Sequence, residues 1–227
     1  MESLRGTSLL EECFVVVLGS HGTDLCDRYP TIVPGGPGFT LRDEQLHVPL
    51  IIRPPKRFGW SRRVSTQIRL IDLAPTLCDL LSIPVSEEWQ GTSLAPAIRQ
   101  QQDLAELPVF ASACNLAPDR AAVRHHQHKY IRVLRPTEPR GRLFLEPLPS
   151  EQLYNVRQDP GETEDLAERA PERLAEMQRV LLDHLRGSQA ERARRFPELP
   201  GPPEDASGGA SPAKQAGEPT PISETAP

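Results

Sequence analysis

The feature that most constrains this chain is the run Phe14-Val15-Val16-Val17-Leu18, followed at once by Gly19-Ser20-His21-Gly22. Five consecutive apolar residues show no in-and-out alternation, which predicts a strand buried on both faces of a sheet. The Gly-Ser-His-Gly string then breaks the strand into a loop. In open α/β sheets, ligands gather where the carboxyl ends of strands meet their loops. Ser20 and His21 are therefore the first candidate ligand residues. A second apolar run, Val48-Pro49-Leu50-Ile51-Ile52, predicts another strand, with Pro49 at its start, where a missing N–H costs least.

Downstream, the pattern changes period. Asp72 is expected to cap a helix with Leu73, Leu77, Leu80 and Leu81 on one side, Pro75 in its first turn and its end before Pro84. Residues 108–112, 121–124 and 130–134 read as strands of a smaller antiparallel sheet. Pro171 opens a helix whose Leu174, Met177, Leu181 and Leu185 recur at three and four residues, and Gly187 is expected to end it. His184 would then lie in the last turn, where a cation complements the helix dipole. Beyond it, residues 187–227 are rich in Pro, Ala, Glu and Arg and poor in large apolar groups. Such a segment cannot offset its ordering entropy and is expected to be a disordered tail.

Five segments, in order, resemble the sulfatase family of the alkaline phosphatase superfamily. Gly19-Ser20-His21-Gly22 is similar to its Ser/Thr-Asp-His-Gly element. Thr40-Leu41-Arg42-Asp43-Glu44-Gln45-Leu46-His47-Val48-Pro49-Leu50-Ile51-Ile52-Arg53 resembles its "TLY(D/E)ExLxVPLIIR" segment. Arg69-Leu70-Ile71-Asp72-Leu73-Ala74-Pro75-Thr76-Leu77 and Gly91-Thr92-Ser93-Leu94 are similar to "LVDIAPTL" and "GxSL". Glu151-Gln152-Leu153-Tyr154-Asn155-Val156-Arg157-Gln158-Asp159-Pro160-Gly161-Glu162 resembles "ELYDLxxDPxE". The resemblance covers about residues 10–186 and corresponds to the C-terminal half of a typical member. It implies a partial alkaline-phosphatase-like α/β sandwich plus a small C-terminal antiparallel sheet and terminal helix. The expected boundaries are 10–105 for the α/β part, 106–186 for the sheet-and-helix subdomain and 187–227 for the tail.

The family reaction is hydrolysis of sulfuric esters, by attack of a hydrated formylglycine on sulfur beside a calcium ion. The family's Cys/Ser-x-Pro-x-Arg nucleophile motif is absent from this sequence. Leu116-Ala117-Pro118-Asp119-Arg120 has leucine in the nucleophile's place and reads as a turn-rich loop. The metal aspartate is replaced by Ser20, leaving His21. A hydroxyl is a poor substitute for a carboxylate beside a hard dication. The Gly-His-Gly or Gly-Lys-Gly that contacts sulfate in many relatives is Gly36-Pro37-Gly38 here, and proline offers no donor. Lys129, in a string similar to the family's "RxKYI", is expected at the rim of the substrate cleft. His47, before Val48-Pro49, is expected to be structural.

Other features exclude function classes. A net charge of −5 with no concentrated basic face argues against nucleic acid, and Arg192, Arg194 and Arg195 read as a solvated helix end. No run of eighteen apolar residues predicts a membrane span. Met1-Glu2-Ser3-Leu4-Arg5 opens no signal peptide, so a cytoplasmic location is expected of the chain as given. Cys13, Cys26, Cys78 and Cys114 have no metal-ligand spacing, and Cys13 and Cys78 fall in apolar patterns. In the trio His125, His126 and His128, the last two would share a strand face, without a carboxylate suitably spaced to complete a metal site. Two functional classes stay open. One is a sulfatase-type hydrolase completed by another chain or a longer gene product. The other is a non-catalytic sulfatase-like protein that binds a partner, with a complementing chain or a second copy of itself as occupant.

Overall fold

A computed structural model describes residues 6–7, 9–23, 40–61, 63–100, 104–113, 119–135, 149–195 and 197. Cys26, Cys114, Gly36-Pro37-Gly38, residues 116–118 of the proline loop and the segment after 197 lie outside the described residues.

A short helix α1 (Leu9–Glu12) leads into β1 (Val15–Leu18). After helix α2 (Asp43–Leu46), β2 (Leu50–Arg53) pairs antiparallel with β1, Val16 opposite Ile52. Both strands are valine-, leucine- and isoleucine-rich, as β-branched and apolar side chains on a pleated surface favour. The expectation of burial on both faces fails for β1. Val17 is 54% exposed and Ile51, opposite it, 61%, because among the described residues this sheet has two strands and nothing covers that face.

The next segment is held by two family motifs docked on each other. A 3-10 turn (Leu70–Asp72) runs into helix α3 (Leu73–Leu80), and α4 (Ala95–Gln100) follows. Asp72 makes no N-cap hydrogen bond to α3. Its buried carboxylate instead accepts from Arg69 N at 3.1 Å, Arg69 Nη2 at 2.7 Å and Thr92 N at 2.8 Å. Burial opposes the charge, but the Arg69 hydrogen bond and the Thr92 N–H together hold the Asp72 carboxyl below its ordinary value. Leu94 N donates to Thr76 Oγ1 at 2.9 Å, and Ser93 Oγ to Asp79 at 2.7 Å. Gly91 is required here: a Cβ would come within 2.0 Å of Ile71 O. Leu70, Ile71, Leu81 and Ile83 remain exposed around α3.

The second sheet is a meander, β3 (Val109–Ala113), β4 (Asp119–His125), β5 (His128–Arg135) and β6 (Glu151–Asn155), each antiparallel to the next. Its period-2 alternation splits the core. Ala121, Val123, Tyr130 and Leu153 face helix α5 (Pro171–Arg195), which buries Met177 and Leu181 among them, with Leu174 and Leu185 partly buried alongside. Ala122, Ile131 and Tyr154 face the other way, onto Leu41. Full burial of one such leucine contributes about 2 kcal/mol.

The helix runs further than its sequence suggests. Gly187 lies inside α5, which continues to Arg195. Glycine at an exposed helical position costs only about 1 kcal/mol against alanine, and Arg194 and Arg195 both close on Glu191 to support the last turns. His184 is thus not at the helix end. It stacks on Phe110 of β3, ring centroids 3.6 Å apart and 5° from parallel.

Candidate functional site

The end of β1 leads to the first site. Gly19 N donates to Pro49 O at 3.1 Å, and Gly22 N to Gln45 O at 2.8 Å, so the loop lies on the backbone of α2. Gly22 admits that approach, since a Cβ there would come within 1.9 Å of Glu44 O. Ser20 and His21 between them are exposed, and His21 Nδ1 sits 2.9 Å from Gly22 O. Among the described residues no group of three or more His, Cys, Asp or Glu side chains is placed to hold a metal. Calcium takes six to eight oxygen ligands. One imidazole and one hydroxyl on an exposed loop do not fit the ion that the resemblance implies.

Beside that loop, α2 carries a second, buried constellation. Asp43 Oδ1 lies 2.8 Å from Lys129 Nζ, and Asp43 Oδ2 accepts from Arg124 Nη1 at 2.6 Å. Arg124 and Lys129 are directly opposite on β4 and β5, which places both cations over one carboxylate. Lys129 Nζ is also 2.8 Å from Glu162 Oε1, at ion-pair distance without hydrogen-bond alignment. Glu162 Oε2 accepts from Asp43 N at 2.7 Å. Arg42 Nη2 donates to Tyr154 Oη at 2.8 Å, with the guanidinium 4.9 Å from that ring's centre. Burial works against the Asp43 charge, but Lys129 and then Arg124 hold its carboxyl below the ordinary range. Lys129, with 1% of its side chain exposed, does not open onto a cleft rim. It joins the antiparallel sheet to the segment preceding β2.

Backbone strain gathers at this cluster. Leu41 and Glu162 adopt left-handed φ of 57° and 52°, which costs a non-glycine residue about 1 kcal/mol or more. Gln45 Oε1 stabilises the first by accepting from both Thr40 N and Leu41 N at 3.1 Å. The second follows a turn in which Asp159 accepts from Thr163 N at 2.6 Å and Glu164 N at 2.8 Å. The "DPGE" motif thus shapes the turn that delivers Glu162 to Lys129. Neither Asp43 nor Glu162 stands out in the sequence as a site residue. The only available signal was their membership in two family motifs 119 positions apart.

The remaining candidates are placed as follows. His47 is exposed, and its backbone N–H closes α2 on Asp43 O. Cys13 and Cys78 are half-buried free thiols. His126 does not share a strand face with His128. It lies in the β4–β5 turn with φ 53°, stacks on His125 at 4.0 Å and approaches Glu106 at 3.4 Å. Among the described residues no helix is long and apolar enough to cross a membrane.

Comparison with known proteins adds three findings. The family model described as N-sulphoglucosamine sulphohydrolase, C-terminal, matches residues 39–191. Two relatives are similar: the Delta 4,5-hexuronate-2-O-sulfatase of Bacteroides thetaiotaomicron, 27% identical over 83% of this chain and 38% of its own length, and the arylsulfatase K of Gallus gallus, 26% identical over 80% and 32%. The solved structure of a 2-O GAG sulfatase superposes with a TM-score of 0.66 at 25% identity, over 91% of this chain and 42% of that one. The chain therefore spans well under half the length of the relatives it matches.

Proposed function

Because this chain belongs to the sulfatase family and matches the C-terminal part of its members, we propose that it forms the bracing portion of a sulfuric ester hydrolase fold and does not hydrolyse esters by itself. The observation that supports this reading is the end of β1, where exposed His21 stands beside Ser20 without a carboxylate cage among the described residues. The family's nucleophile motif has no counterpart in the sequence, so no step of the reaction can be assigned to a residue of this chain. Asp43, Lys129 and Glu162 do structural work, tying the meander to the α/β segment.

The apolar surfaces left open on β1, β2 and around α3 favour a partner. The proposed occupant is a complementing segment bearing the remaining strands, carried by another chain or by a longer product, with a second copy of this chain as the competing cover. Metal titration tests the reading. Calorimetry with calcium and manganese is expected to show no saturable binding by the native chain and little gain from Ser20→Asp, since one carboxylate does not make a cage. Tight stoichiometric calcium binding by the native chain, lost in His21→Ala, would overturn it.

A further inference from the structure

We propose that the cavity at the tip of the β4–β5 hairpin binds an oxyanion, the sulfate or carboxylate group of a small acidic ligand. The cavity measures about 530 Å³ and is bordered by four stretches of chain: the hairpin, the residues after β6, the first turn of α5 and the segment before β3. Arg124, His126, His128, Arg157 and Arg173 line it, with Glu106 as the one carboxylate among the described lining residues. Three of these side chains are guanidiniums, whose planar forks match oxyanions in two-pronged hydrogen bonds.

Their existing partners leave capacity for a ligand. Arg124 uses Nη1 on Asp43, while its buried Nε has no hydrogen-bond partner among the described residues. Arg173 is held by Glu176 through Nη1, and no ion pair among the described residues engages the exposed Arg157. Arg173 lies in the first turn of a 25-residue helix, whose N-terminal end adds a further positive field on that side. The field is felt at His128: burial first, then the charges of Arg173 and His126, make it harder to protonate, with Glu176 opposing. An anion in the cavity would relieve that repulsion. His126, at the left-handed φ of 53° in the hairpin turn, also lines the cavity. The proposal does not depend on the hydrolase reading, since none of these residues lies at the β1 end, although Arg157 falls within the Glu151–Glu162 motif.

The test is calorimetric titration of the full chain, in low-salt chloride buffer, with sodium sulfate, glucose 6-sulfate and sodium glucuronate. These arms separate free sulfate, esterified sulfate and carboxylate as the preferred source. Saturable binding of at least one probe is expected. Arg157→Ala/Arg173→Ala should weaken it at least about tenfold, the scale of a lost charge-assisted hydrogen bond. A charge-matched control, Lys56→Ala/Arg57→Ala on the 3-10 turn after β2, should leave it unchanged. If the cavity variant fails to fold, Arg157→Ala alone carries the same comparison from an exposed turn. Absence of saturable binding by all three probes, or equal affinity in native chain and cavity variant, would overturn the proposal.

Discussion

Replacing Lys129 with methionine is the most informative perturbation of the ionic brace. The side chain is 1% exposed and its ammonium lies 2.8 Å from each of two carboxylates, one of them, Glu162, 2% exposed. Methionine keeps the stem's bulk but removes the charge and leaves two acids facing each other. Breaking a buried pair by removing one partner costs about 3–5 kcal/mol. Arg124 still faces Asp43, and Asp43 keeps 15% exposure, so the low end, about 3 kcal/mol, is expected. With a urea slope of roughly 2 kcal/mol per molar, the midpoint should fall by about 1.5 M at pH 7, followed by far-UV circular dichroism. The pH dependence gives the sharper check. Against its burial, the Asp43 carboxyl is held below its ordinary range by Lys129 in the native chain, so this contribution to stability is present above the ordinary aspartate range and is lost as pH falls through the lowered folded value. The deficit of the variant should therefore narrow as pH falls below the ordinary aspartate range, and Glu162→Gln in the same background should recover part of it at pH 7. A midpoint shift below about 0.5 M, or a deficit that stays constant with pH, would refute an electrostatic brace.

Gly187→Ala should stabilise the chain by about 0.5–1 kcal/mol in thermal or urea unfolding, because the position is helical and open space surrounds a new Cβ. Gly91→Ala should do the opposite, costing several kcal/mol or preventing folding, as the methyl group would collide with Ile71 O; insoluble expression or a large loss of melting temperature would register it. His184 and His128 are both harder to protonate than in the unfolded chain, His184 through burial and His128 through burial and Arg173. The unfolded chain then binds more protons, so their contribution is present above pH 6.5 and is lost as pH falls through the lowered folded values. Urea midpoints measured from pH 7.5 to 5 should decline, less steeply in His184→Phe, which keeps a ring on Phe110 without a titrating group.

The parts of the fold that rest on local pattern were legible in the sequence. The apolar runs of β1 and β2, the leucines of α3 and the stripe of Leu174, Met177, Leu181 and Leu185 each carry their own period. Tertiary context overrode local signals at Gly187, where ion pairs beyond it carry the helix on, and at Asp72, whose carboxylate is taken by Arg69 and Thr92 instead of the helix start. The ionic brace was beyond reach. Asp43, Lys129 and Glu162 are distant in sequence, and Lys129 reads as a residue of a cleft rim until the register places it beside Asp43. The hairpin histidines depart from the strand pattern for a related reason: a strand-face rule fails once the turn puts His126 at positive φ.

The measurement that bears most directly on the account is turnover of an aryl sulfate by the purified chain, with and without calcium, magnesium, manganese or zinc. With no nucleophile motif in the sequence and no carboxylate cage at His21 among the described residues, hydrolysis should not rise above the uncatalysed background, which is far too slow to mistake for catalysis. Metal-dependent turnover that follows the chain through purification and disappears in His21→Ala would contradict it, and would place the reaction's machinery within this chain.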